Sequence, residues 1–224
     1  MIKSLVNDIA SSQKYGFDFI SDEDGFSFYR KSYLDNKRFL ILHSTSSLHD
    51  ADTYNAIIRD ILPDELKSDS AFEKNTDFII LFEMDSLSNF SSYENEIFSI
   101  EENPYDFKKY VLYYSKEEKS IINGMTYNEI REEILNRDSF KAYKSNVNFP
   151  SKYSFSARLF IKLPFLEVPV EEEELKSIDV MLTERYVEQD LVEFDKYINK
   201  IFKSNPTDFN SLIEEYLDNE MEVK

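Results

Sequence analysis

His43 and His49 are the chain's only imidazoles. With Asp50 and Asp52 they form a set of side chains whose types could hold a zinc ion, provided the loop 44–48 folds them together. Spacing alone imposes no tetrahedral geometry. The simpler reading is one histidine ending a strand and one opening a helix, each satisfied by solvent. We assign no metal ligand and expect no cofactor. A two-metal nuclease would need an acid at the end of one strand and an acid-x-Lys on the next, all turned to one face. Asp85 and the group Glu101, Glu102 and Lys108 come nearest. However, Glu83-Met84-Asp85 lacks the lysine, and no Glu-x-Lys falls inside a strand. Solvated carboxylates at strand ends account for these acids.

Other chemistries lack their residues. The chain has no cysteine, which removes disulfides, thiolate zinc sites and cysteine nucleophiles, and suits a reducing compartment. Its three glycines, Gly16, Gly25 and Gly124, build no phosphate-cradling loop and no nucleophile elbow. We expect a protein that is not an enzyme, with no catalytic residue to name.

Binding is better represented. The chain carries a formal charge of −18, divided as −9 over residues 1–100, +2 over 101–166 and −11 over 167–224. Such a surface repels a phosphate backbone, so direct nucleic-acid contact is expected to be minor. One stretch runs the other way: Arg137, Lys141, Lys144, Lys152, Arg158 and Lys162 stand against Asp138 alone, interleaved with Phe140, Tyr143, Phe149, Tyr153, Phe155 and Phe160. Bases alternating with aromatics can track and stack a nucleic acid, or can meet an acidic protein surface. The plain alternative is a core of aromatics beneath a solvated basic face. Further on, Val187, Leu191, Phe194, Ile198 and Ile201 recur in four-three spacing, flanked by Glu188, Glu193 and Asp195. This seam could pack on the chain's own last helix, or dock on a partner's helices.

The elements that must position these residues follow from periodicity. Residues 1–14 place Ile2, Leu5, Val6 and Ile9 on one helical face. Residues 26–33 and 38–44 read as strands joined through Leu34-Asp35-Asn36-Lys37. Ser47 can cap a helix bearing Leu48, Ala51, Tyr54, Ile57, Ile58 and Ile61, which ends near Pro63. The continuous apolar run 76–84 suits a strand in mid-sheet. A short stretch with Phe90, Tyr93, Ile97 and Phe98 leads to a strand at 107–115. Thr126 and Glu129 form a capping box for a helix reaching about Tyr143, and 155–166 fits either strand or helix, with strand preferred. Helices near 184–202 and 208–217 close the chain. The fold class is α+β: a mainly antiparallel sheet flanked by helices, with a C-terminal helical segment. We divide it into an α+β body, 1–166, and an acidic helical segment, 167–224, the alternative being one continuous domain. The first nine residues lack a signal peptide's apolar core, and no run reaches the ~18 apolar residues of a membrane span. We expect a cytoplasmic protein with no membrane contact.

The stretch Ile97-Phe98-Ser99-Ile100-Glu101-Glu102-Asn103-Pro104-Tyr105-Asp106-Phe107-Lys108-Lys109-Tyr110-Val111-Leu112-Tyr113-Tyr114 resembles a signature of the middle components of bacterial ABC-three-component systems, a group that includes the Lamassu anti-phage systems. The upstream strand Asp77–Met84 and the overall length share in the likeness. The resemblance implies an accessory subunit beside an SMC-like or Rad50-like ATPase and a nuclease-type effector, holding both at rest and transmitting activation. It carries over no catalytic residue. Asn103 before Pro104 is steered away from helix, Pro104 can start a helical turn anchored by Tyr105 and Phe107, and 110–114 is apolar on both faces as a central strand would be. The acidic tail also permits a different function, a free-standing DNA mimic that blocks a nucleic-acid enzyme.

Overall fold

A strand that is apolar on both faces must be covered on both, and this requirement organises the fold. The computed structural model describes residues 1–33, 36–170 and 177–188, together with 191, 192, 194 and 196. Two compact units divide the chain, Met1–Pro169 and Val170–Lys224. In the first lie α1 (Ile2–Ala10), β1 (Asp18–Glu23), β2 (Phe26–Tyr33), β3 (Asn36–Thr45), α2 (Ala51–Ile61), α3 (Asp64–Lys67), β4 (Thr76–Met84), α4 (Phe90–Glu101), β5 (Lys108–Ser115), α5 (Lys116–Ile121), α6 (Tyr127–Leu135), α7 (Arg137–Ser145) and α8 (Lys152–Lys162). In the second the described helix is α9 (Ile178–Glu188).

The class is α+β. Its five strands lie in sequence order, β1-β2-β3-β4-β5. The first two pairings are antiparallel and the last two parallel, with crossovers through α2 and α4. Alternation along the strands sorts side chains into two cores. Tyr29, Leu40, Leu42, Ile79, Leu81, Leu112 and Tyr114 join Val6, Ile9, Ile130, Phe155 and Leu159 on the side of α1, α6 and α8. Phe28, Phe39, Ile41, Phe78, Ile80, Phe82 and Val111 join Tyr54, Ile58, Ile97 and Ile100 on the side of α2 and α4. β4 therefore sits mid-sheet and is buried on both faces, as its apolar run requires.

Several expectations are corrected. Residues 155–166 do not form a strand. α8 is a helix opened by Ser151, whose side chain accepts from Ser154 N–H. Its run of apolar and small residues fits either period, and the fully buried Ser154 and Ser156 allow the close packing that settles it as helix. The helix from Thr126 stops at Leu135. Asn136 turns extended, and its side chain accepts from the N–H groups of Asp138 and Ser139 at 3.0 Å each, starting α7 afresh. α2 is capped by Asp50 rather than Ser47. β1, largely polar and bulged between Phe19 and Ser21, has no clear alternation to reveal it. It turns into β2 through Asp24-Gly25, both at positive φ, the two-residue turn such dipeptides favour. β5 is an edge strand, not a central one. The turn residues 34 and 35, most of the expected 184–202 helix and all of the 208–217 helix lie outside the described residues. Among the described residues no helix is long and apolar enough to cross a membrane.

Candidate interaction site

The signature stretch folds around one buried cation. Lys109 is almost wholly enclosed, and its ammonium donates to Asn103 Oδ1 at 3.1 Å, to the Tyr105 carbonyl at 2.7 Å and to the Phe107 carbonyl at 3.1 Å. Three acceptors satisfy its three donors, so the loop 103–107 is wrapped on a single charge. Burial pushes the Lys109 ammonium below its ordinary range, and the nearby Asp106 carboxylate acts against that fall. Asn103 Oδ1 also accepts from Tyr105 N–H at 3.1 Å. Asp106 stands at φ 62°, in the left-handed region, and its carboxylate pairs with Arg59 from α2. Pro104 therefore opens a bend rather than a helical turn. Phe107, 3% exposed, anchors it edge-on to Phe72, whereas Tyr105, 67% exposed, faces solvent.

The outer edge of β5 would leave backbone groups unpaired. Side chains cover it. Val111 N–H donates to Glu101 Oε1 at 2.8 Å, and Lys162 from α8 holds the same carboxylate at 2.6 Å. One helical turn earlier, Arg158 Nε donates to the Tyr113 carbonyl at 3.1 Å, and its guanidinium pairs with Glu118 and lies 4.8 Å from the Tyr113 ring centre. Glu118 is completely buried; it also accepts from Ser115 N–H at 3.2 Å and from the Ser154 hydroxyl. Sequence reasoning missed both Lys109 and Glu118. The pattern Ser115-x-x-Glu118 is a capping box and was a usable signal for the latter. Nothing in the pattern around Lys109 distinguishes it from its exposed neighbour Lys108.

The six basic positions consequently separate. Arg158 and Lys162 are drawn inward as ion-pair partners of the β5 edge, because α8 is a helix packed on the sheet. Arg137, Lys141, Lys144 and Lys152 lie exposed on α7 and at the start of α8. Of the acidic seam, Val187, Leu191 and Phe194 are exposed apolar side chains and Glu188 is exposed beside them. Val180, Thr183, Glu184, Val187 and Glu188 line an open concavity along α9. Glu193, Asp195, Ile198 and Ile201 lie outside the described residues.

Neither candidate for metal chemistry assembles into a ligand set. His43 stacks on Phe26 at 3.9 Å, and both imidazoles lie edge-on to Tyr54. Asp85 is held by Lys116 at 2.6 Å, and Glu83 pairs with Lys119. Among the described residues no three histidines or acids gather in a group that could hold a metal. What the arrangement offers is an ion-paired body that presents exposed loops and helix faces.

Comparison with known proteins agrees with the signature. Residues 38–138 match the family described as ABC-three component (ABC-3C) system Middle Component 1. The match runs from β3 to the start of α7 and contains the Lys109-centred loop and the whole of β5. No curated protein and no solved structure gives a match to the chain.

Proposed function

We propose, from the similarity of residues 38–138 to the middle components of ABC-three-component systems, that this chain is a non-catalytic accessory subunit bridging an SMC-like or Rad50-like ATPase and a nuclease-type effector in a cytoplasmic defence complex of the Lamassu kind. The single observation that carries the reading is the family match, which covers β3, β4 and β5 together with the signature loop. In this reading the body 1–166 is a rigid platform, and the acidic segment 167–224 docks on the ATPase. Val187, Leu191, Phe194, Ile198 and Ile201 supply the apolar seam, while Glu188, Glu193 and Asp195 supply charge that speeds encounter and sets register. The exposed apolar face of α9 supports this assignment.

The test is co-expression with the flanking genes and purification through a tag on this chain. A stoichiometric complex containing an ATPase is the expected result. If this chain emerges alone while the neighbours are soluble and abundant, the reading fails.

A further inference from the structure

Residues 122–126 join α5 to α6 and contain the chain's one Asn-Gly pair, Asn123-Gly124. Both residues are exposed. The backbone on either side of them is held: Asn123 N–H donates to the Ser120 carbonyl at 3.3 Å and Met125 N–H to the Ile122 carbonyl at 3.0 Å. Ile122 is buried in the core, and Thr126 caps α6. Between these anchors Gly124 N–H has no acceptor among the described residues, and the Asn123 carboxamide has no hydrogen-bond partner among them. Gly124 stands at φ 80°, and a Cβ built there would meet nothing within 4 Å, so no neighbour screens its nitrogen on that side. A free amide nitrogen therefore follows directly on an unrestrained carboxamide. Other asparagines lack this arrangement. Pro104 has no N–H to attack Asn103, Asn55 is buried within α2, and Asn136 commits its Oδ1 to the N–H groups that open α7. The hairpin pair Asp24-Gly25 presents a carboxylate, whose charge resists a nucleophile as a neutral carboxamide does not.

We infer that Asn123 is a modification site, at which the folded chain deamidates itself and forms isoaspartate. Gly124 N gives up its proton to hydroxide and bonds to Asn123 Cγ. The Cγ–Nδ2 bond then breaks and ammonia leaves, which closes a succinimide. Water opens that ring at one of its two carbonyls. Cleavage between Gly124 N and Cγ gives aspartate, whereas cleavage between Gly124 N and the Asn123 main-chain carbonyl carbon gives isoaspartate, with the chain rerouted through Cβ. The consequences are local. Isoaspartate adds one carbon to the main chain between buried Ile122 and the Thr126 cap, neither of which can move to absorb it without loss of packing or of the capping box. Either product places a new carboxylate in the cleft of about 280 Å³ that Asn123, Gly124 and Met125 line with Leu5 and Asp8 of α1, so two like charges share it on a chain already at −18.

The experiment ages the full chain in mildly alkaline buffer, folded in one sample and unfolded in guanidinium chloride in another. Peptide mapping by mass spectrometry locates each deamidation, and isoaspartyl methyltransferase with labelled S-adenosylmethionine counts isoaspartate. Asn123 should convert before any other asparagine, and in the folded chain at a rate within about tenfold of the unfolded one, because the turn needs no opening to react. The rate should rise with pH, and Asn123→Gln should remove the early isoaspartate signal. Hydrogen exchange of the aged chain should show protection falling over residues 122–130. Conversion of the folded chain slower than that tenfold margin would mean that the turn holds nitrogen and carboxamide apart, and overturns the inference. Isoaspartate arising first at Asp24 or at another position overturns it equally, and unchanged protection in a fully converted chain overturns the lengthened turn.

Discussion

Arg158 on α8 and Glu118 on α5 form an ion pair with both side chains buried, joined by Ser154 and by the Tyr113 carbonyl. The pair closes the free edge of β5 and ties it to a helix that begins 37 positions after that strand ends, at Ser115 and Lys152. Removing one member would strand the other charge away from water. Arg158→Met is therefore expected to lower stability by about 3–5 kcal/mol, while the double change Arg158→Met/Glu118→Gln should lower it less. Urea unfolding of the three proteins measures both. A single variant as stable as the parent would show that the pair does not hold the edge.

Lys109 performs the same service for the signature loop. Lys109→Met would leave the Tyr105 and Phe107 carbonyls and Asn103 Oδ1 without their donor. Each such loss costs about 1–3 kcal/mol where the acceptor stays buried. Hydrogen exchange should show protection falling first over residues 103–111. Uniform protection in the variant would mean that the loop does not depend on the cation.

Position decides tolerance within the signature. Val111→Asp puts an unpaired carboxylate into the core shared with Ile97 and Ile100, and should cost several kcal/mol or abolish folding. Tyr105→Ala, at an exposed site, should change stability by no more than about 0.5 kcal/mol. Thermal melting separates the two. Equal effects would place the loop differently from what is described.

Burial against Phe26 holds the His43 imidazole below its ordinary 6.5. The unfolded chain then binds the proton at a higher pH than the folded one does. Stability accordingly falls as pH drops below about 6.5 towards the depressed folded value, and is unchanged by this group above it. Asp22, held low by the Ser27 hydroxyl and the Lys3 ammonium, contributes above 3.8 and loses that contribution only below it. Urea midpoints at pH 7.5 and 5.0 should differ in the parent and differ less in His43→Phe. An unchanged pH slope in the variant would clear His43 of the effect.

Charge reversal tests the acidic segment. If the proposed docking on an ATPase holds, Glu188→Lys/Glu193→Lys/Asp195→Lys should leave the body 1–166 folded, yet slow association with that partner and weaken the complex most at low salt. Co-purification equal to that of the parent at every salt concentration would show that these acids take no part in docking.

Periodicity and composition by themselves determined the α+β class, the mid-sheet place of β4, α1 and the α2 stripe. Each is a local pattern whose period reports which side is buried. The family likeness was also legible, since it rests on consecutive residues of one segment. Tertiary structure decided the rest. Whether 152–162 is helix or strand depended on the sheet face it covers, because a run with buried residues on nearly every side has no readable period. The roles of the lysines and arginines were decided in the same way. Lys108 and Lys109 are adjacent and chemically identical, yet only Lys109 meets three acceptors brought round by the loop 103–107. Arg158 and Lys162 left the solvated basic face because Glu118 and Glu101, distant in the chain, wait at the strand edge where α8 lands. A charge's function is set by what surrounds it, and those surroundings come from parts of the chain that only folding brings together.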